Sequence, residues 1–280
     1  MNIKIIADST CDLPSELAAQ HNISIFPLIV MKNDQEFLDG VTIRPAEIFA
    51  HVAAGGSLCT TAARSVGAYM EEFEKYTADY DGVLHVSLSS SLSSSYQNAC
   101  LAAEEFENVR VVDSKNLSTG QGLVVLKACE LAKTAQSLDK LVRELEDFTG
   151  RVEASFVVDK LDYLVKGGRC SSAAALGANL LNLKPCIEVK DGKMTVVKKY
   201  RGNYAKCLGS YVKDRLEGRE DLEQGTLFIT QTVVDDPSYQ AVKSFVDSNT
   251  SFTNVYSTTA GCTISCHCGP GTLGVLFVRK

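Results

Sequence analysis

Short apolar runs alternate with helical patterns through the first 160 residues, and that alternation leaves few architectures open. "IKIIAD" reads as a strand and "LPSELAAQH" as a helix, with Asp12 as its candidate N-cap. Pro14 falls in the first turn of that helix, where a missing N–H costs little. "ISIFPLIV" reads as a second strand, and "RPAEIFAHVAAGG" as a helix opened by Pro45 and ended by Gly55-Gly56. In "SVGAYMEEFEKYTAD", Val66, Tyr69, Met70, Phe73 and Tyr76 share one helical face. Strands "GVLHVSLS" and "VRVVDS" are each followed by a helix, then come a helix at 137–148 and strand "VEASFVVD". Strand–helix alternation of this kind predicts an α/β domain with a mainly parallel sheet and helices on both faces.

After about residue 160 the pattern changes. "DYLVKGGRCSSAAALGANLLN" reads as two helical pieces broken at Gly167-Gly168, and "KPCIEVKDGKMTVVKKYRG" as two strands joined by a Lys190-Asp191-Gly192-Lys193 turn. A helix, strand "GTLFITQTV", another helix and a final strand "GVLFVRK" complete a second α/β domain with a mixed sheet. The expected division is 1–160 and 161–280, which 280 residues can accommodate.

Composition excludes several classes. With 45% hydrophobic and 22% charged residues the chain is globular, and a net charge of −6 with no basic stretch argues against nucleic acid as a partner. No apolar run approaches the length of a membrane span, and "MNIKIIADST" lacks a secretory pattern, so a cytoplasmic location is expected. The ten cysteines then read as scattered reduced thiols. "CHC" at 266–268, taken as part of a strand, would turn its thiols and its imidazole to opposite sides, so no metal site is expected.

One stretch stands out against this background. Seven of the nine residues from Ser87 to Ser95 are serine. A linker would not be bounded so tightly by a strand before it and, after it, by Leu92, Tyr96, Ala99, Ala103 and Phe106 at helical spacing. The serines could cap the first turn of that helix, or line an anion site at its N-terminus beyond the carboxyl end of a strand. One could also be a nucleophile, although no G-x-S-x-G elbow surrounds the run. Thr60, Thr61 and Ser65 form a similar group before the next helix upstream, and His267 precedes a tight Gly269-Pro270-Gly271 turn that would bring backbone close to a ligand.

Taken together the motifs resemble those of the DegV family, over residues 3–280. "IIADSTCDLP" matches D-S-T-x-D-x-P, "SLSSSLSSSYQNA" matches S-x-L-S-G-T-Y-Q-x-A, and "VVDSKNLSTGQG" matches V-V-D-S followed by S-x-G-x-G. "LDYLVKGGRCSS" matches L-x-Y-L-x-K-G-G-R-x-S, and "HCGPGTLG" matches H-x-G-P-G-x-x-G. The resemblance implies a two-domain lipid carrier, not an enzyme, with no cofactor and one buried long-chain fatty acid of C16–C18. Its implied carboxylate ligands are Thr61 and Ser93, with His267 beside them and the Ser94 N–H where the family usually has glycine. Two departures follow: Thr61-Ala62-Ala63-Arg64-Ser65 replaces T-S-Q-P-S, and Leu92-Ser93-Ser94-Ser95 replaces L-S-G-T.

The implied partner is the catalytic subunit of a fatty acid kinase, which would phosphorylate the bound acid for phospholipid synthesis, with transient contact to a membrane surface. The chain itself holds no G-x-x-x-x-G-K-[ST] loop. Lys166, Arg169 and Arg201 are placed at the opening, for kinase docking. "AAALGANLLNLKPCIEV" is the candidate tail tunnel. The alternative reading is a serine esterase or phosphatase using Ser93 with His267.

Overall fold

The computed structural model describes residues 1–175 and 183–280. Most of the central part of the candidate tail tunnel therefore lies outside the described residues. The first half contains strands β1 Ile3–Asp8, β2 Ser24–Phe26, β3 Ile29–Lys32, β4 Gln35–Leu38, β5 Thr60–Ala62, β6 Gly82–Ser87 and β7 Val109–Asp113. Its helices are α1 Ser15–Gln20, α2 Pro45–Ala53, α3 Val66–Thr77, α4 Ser95–Ala103, α5 Ser118–Ala132 and α6 Leu138–Thr149. The second half contains β8 Val152–Val158, β9 Leu183–Lys190, β10 Lys193–Arg201, β11 Leu222–Gln231, β12 Asn254–Thr259 and β13 Thr272–Arg279. Helices α7 Asp162–Gly167, α8 Ser171–Ala174, α9 Tyr204–Leu216, α10 Asp236–Asn249 and α11 Cys262–Cys268 complete the described elements.

Strands β2-β1-β6-β7 form the expected parallel sheet. Alternate residues serve its two faces. Ile6 and Val83 pack with Tyr69 of α3 and Ala99 of α4, while Ile5, Ala7, Leu84 and Val86 pack with α5 and α6. The second sheet, β10-β9-β8-β13-β11-β12, is mixed: β12 is parallel to β11 and the other neighbours are antiparallel. One of its faces meets α9 and α10, and the other joins the same apolar core as α5. Helix α5 thus lies between the two sheets, and its first eight residues are all buried. A helix buried on all sides shows no amphipathic stripe. Gly122 allows this close packing, since a Cβ there would meet the Cys11 carbonyl at 2.8 Å.

Four differences from the sequence reading follow. "ISIFPLIV" is two strands, because Pro27 cannot donate to a ladder. β2 stays in the parallel sheet, and β3 joins β4 and β5 in a separate antiparallel sheet. Asp12 does not cap α1; the N-cap position is Pro14, and Asp12 sits in a left-handed turn at φ 49° facing elsewhere. "CHC" ends the helix α11 and is not in a strand. Residues two apart on a helix are about 200° apart, so Cys266 and Cys268 still diverge. Six of the seven α11 residues are buried, which erases the amphipathic pattern that reveals surface helices. Finally, β8 precedes residue 160 yet pairs with β9 and β13 in the mixed sheet.

Candidate functional site

One wall of the site is the serine loop between β6 and α4. Asp8, the last residue of β1, fixes where that loop begins. It accepts hydrogen bonds from Ser87 Oγ at 2.7 Å, Leu88 N–H at 2.9 Å and Tyr69 Oη at 2.9 Å. His85 Nε2 lies 3.1 Å from the same carboxylate and must carry a proton to donate to it. Burial pushes the Asp8 carboxyl up, but His85, the Leu88 N–H and the Ser87 hydroxyl outweigh it and hold it below the usual range.

Downstream, the Leu92 and Ser93 N–H groups both donate to the Ser89 carbonyl, closing a tight turn. The Ser89 hydroxyl donates to the Gly192 carbonyl at 2.9 Å and so latches the loop to the β9–β10 turn. Ser93 Oγ accepts the Ser95 N–H at 3.1 Å and lies 2.9 Å from Ser95 Oγ. Its own proton is left to face Ser95 or the cavity. Ser94 adopts φ −78° and ψ 1°, a conformation open to any L-residue, so serine carries no strain where glycine is usual. Ser65 caps α3 by accepting the Ala68 N–H at 3.2 Å, a contact worth about 1 kcal/mol.

The opposite wall is assembled from distant segments. Thr61 lies on β5 and His267 near the end of α11, and Thr61 Oγ1 is 2.8 Å from His267 Nε2. Two carboxylates from the first half hold the start of α11. Asp39 accepts the Cys262 N–H at 2.8 Å, the Thr263 N–H at 3.1 Å and the Ser9 hydroxyl at 3.0 Å. Asp12 accepts the Gly261 N–H at 2.8 Å and bonds the Ser118 hydroxyl at 2.5 Å. Burial pushes the Asp12 carboxyl up to about 8, against the pull of those two donors.

Burial lowers His267 to about 4, and the Arg169 guanidinium nearby acts in the same direction. The imidazole is therefore neutral at pH 7. Its buried Nδ1 has no partner among the described residues, and a Cβ on Gly167 would lie 2.5 Å from it. Glycine at 167 is what lets α7 pack against the imidazole edge.

Between the walls lies a cavity of about 820 Å³. Its polar lining includes Thr61, Arg64, Ser93, Ser94, Arg169 and His267 together with Glu36, Ser65, Asn98 and Thr263, and Leu28, Leu38, Leu88, Leu92, Leu117, Met194 and Ile264 are among its apolar lining. Thr61, Ser93, Ser94, His267 and Arg169 are thus brought together. Lys166 and Arg201 are exposed and do not line the cavity. Arg169 Nη1 donates to the Gly167 carbonyl at 2.9 Å, and its Nε approaches the Leu92 carbonyl at 3.4 Å, tying the end of α7 to the serine loop. The sequence reading missed Asp8, Asp12, Asp39 and Gly167 as positioning residues. Three of them stood inside the quoted D-S-T-x-D-x-P and K-G-G-R blocks; nothing local marked Asp39. No group of three His, Cys, Asp or Glu among the described residues is placed to hold a metal ion.

A family model described as uncharacterised protein, DegV family, matches residues 2–280. The chain belongs to the DegV family. A DegV domain-containing protein of Clostridium perfringens is 30% identical over 99% of both chains. Among solved structures, a fatty-acid-binding DegV family protein of Thermus thermophilus is 31% identical, with a TM-score of 0.90 over 100% of both chains. DegV of Bacillus subtilis, a fatty-acid-binding protein, is 27% identical with a TM-score of 0.82, again over 100% of both chains.

Proposed function

We propose that this protein binds one long-chain fatty acid of C16–C18. Thr61 and Ser93 hold its carboxylate beside a neutral His267, and its tail lies along the apolar lining. The observation that carries this reading is one cavity of about 820 Å³ whose lining includes the Thr61 and Ser93 hydroxyls, the His267 imidazole bonded to Thr61, and a row of leucines with Met194 and Ile264. That volume is in the range of small-molecule sites. The Thermus and Bacillus relatives, which bind fatty acids, support it. Burying 14–16 methylenes at ~0.8 kcal/mol each contributes roughly 11–13 kcal/mol before ordering and association costs. Binding is then tight enough for the acid to copurify.

The role that follows is carrier. The protein presents the acid to the catalytic subunit of a fatty acid kinase, which phosphorylates it to acyl phosphate for phospholipid synthesis. Contact with a membrane surface is transient; no described helix is long and apolar enough to cross one. Arg169, which lines the cavity and reaches the serine loop, is the better docking candidate, ahead of Lys166 and Arg201.

The hydrolase alternative needs a Ser93–His267 pair. Ser93 instead bonds Ser95, His267 bonds Thr61, and Nδ1 meets no orienting acid among the described residues. Mass spectrometry of an organic extract decides between the readings. A stoichiometric C16–C18 acid is expected. An empty extract together with ester turnover lost in Ser93→Ala would overturn the carrier. Thr61→Ala and Ser93→Ala should each weaken fatty-acid affinity by roughly 1–3 kcal/mol, the worth of a hydrogen bond to a charged group; unchanged titrations in both would remove the head-group assignment.

A further inference from the structure

Arg64 stands in the loop between β5 and α3 and lines the cavity. Its guanidinium lies over the Phe26 ring, 4.8 Å from the centroid, and Nη1 donates to the Pro27 carbonyl at 3.1 Å. Its own carbonyl accepts from Asn98 Nδ2 at 2.7 Å, which fixes the loop against α4 just beyond the serine run. The side chain is therefore anchored at both ends, and one of its five donors is used.

Position along the walls matters here. The Arg64 carbonyl is held by Asn98 of α4, the helix that the serine run opens. Arg64 is thus on the serine side of the cavity. Arg169 spans the two sides: Nη1 donates to the carbonyl of Gly167, which packs on His267, and Nε approaches the Leu92 carbonyl of the serine loop. The partners of the two guanidiniums among the described residues are backbone carbonyls and an aromatic face, with no carboxylate. Among the described residues the one carboxylate that lines the cavity with them is Glu36, exposed on β4. Among the described residues neither guanidinium bonds a carboxylate, and the His267 imidazole of the same cavity is neutral.

We infer that Arg64 sets the head-group specificity of this cavity: its guanidinium neutralises an ionised carboxylate at Thr61 and Ser93, so the site selects the acid over uncharged lipids of the same length. This rests on the lipid reading above and adds to it a charge partner on the serine side. A guanidinium already held by stacking and by one hydrogen bond loses little freedom on binding an anion, which suits it to this task.

The test uses the full delipidated chain with palmitate and hexadecanol, read by calorimetry. Arg64→Gln should weaken palmitate about tenfold or more and change hexadecanol by less than about twofold, since a charge-assisted contact is lost and the apolar lining is intact. Arg64→Lys keeps the charge and should keep most of the preference for acid. Arg64→Met keeps bulk over Phe26 without charge and should repeat the glutamine result, which covers a glutamine variant that does not fold. Equal weakening of both lipids would make Arg64 a packing residue and overturn the inference, as would no change in either. If the parent chain binds neither lipid, the lipid reading falls and this inference with it. If the parent binds both and the charge-free variants do not separate them, only this inference falls.

Discussion

Asp8 and Asp12 lie four residues apart at the end of β1, both buried, and the fold holds them in opposite protonation states. Burial pushes both carboxyls up. At Asp8 the His85 imidazole, the Leu88 N–H and the Ser87 hydroxyl more than offset it, and the group stays ionised. At Asp12 the Ser118 hydroxyl and the Gly261 N–H do not offset it, Asp39 adds repulsion, and the carboxyl is pushed up to about 8. The number of donors and the presence of an imidazole decide the outcome, since depth is the same. The consequence is two kinds of wall. The serine wall hangs on an ion whose partners all lie within the first half. The histidine wall hangs on a neutral acid and on Asp39, which reach across more than 200 residues to the start of α11.

The same isosteric change at both positions separates the two carboxyls. Asp8→Asn puts an amide N–H₂ against donors and removes the charge facing His85. It should cost roughly 3–5 kcal/mol, as losing several hydrogen bonds to one buried carboxylate does. Asp12→Asn at pH 6 should cost under about 1 kcal/mol, because the amide can accept the Gly261 N–H and donate to Ser118 Oγ as a neutral acid does. Urea denaturation of the two variants gives both numbers. Equal costs would mean that the two carboxylates are not in different states.

A smaller effect sharpens the histidine wall. His267 has a folded-state value of about 4 against an ordinary value of 6.5. As pH falls, the unfolded chain takes up its proton first, so stability from the neutral imidazole is complete above 6.5 and is lost between 6.5 and 4. The loss is about 3 kcal/mol at ~1.4 kcal/mol per pH unit. Asp12 works in the other direction: its folded value is raised, so its contribution is present below 3.8 and is lost as pH rises toward 8. The measurement therefore compares parent with His267→Gln at pH 7 and at pH 4.5, which cancels Asp12. The parent should lose more stability than the variant on acidification. Parallel losses would place a protonatable imidazole in a solvated setting.

Which wall the sequence revealed follows from the same contrast. The serine run, its strand and its helix are contiguous, so spacing and hydroxyl content exposed them, and the family blocks picked out Ser93. Strands β4, β5 and β12 were missed because each is short or carries mostly part-buried and exposed positions, with no apolar alternation to see. Helix α11 was missed for the opposite reason, its burial on nearly every side. Thr61 and His267 were named through motif blocks, yet their contact needs Asp12 and Asp39 to hold α11 against the first half, and no local pattern encodes a bond spanning 223 residues. Arg64 was visible as a departure from T-S-Q-P-S, and only the cavity shows what it faces.

The smallest expected effect concerns Ser94. Glycine at this place in the family pattern invites the expectation that the backbone needs a left-handed turn. At φ −78° it does not. Ser94→Gly should therefore bring no relief of strain. It should leave stability unchanged or lower it by up to about 1 kcal/mol, through the greater freedom glycine gives the unfolded chain. Fatty-acid affinity should move by less than about twofold, since the Ser94 carbonyl still accepts the Asn98 N–H and the Ser93 hydroxyl is still placed by Ser95. A gain of more than ~1 kcal/mol would mean that the loop is strained at this position. A large gain in affinity alone would mean that the Ser94 side chain crowds the carboxylate, and glycine in the family pattern would then serve the ligand and not the turn.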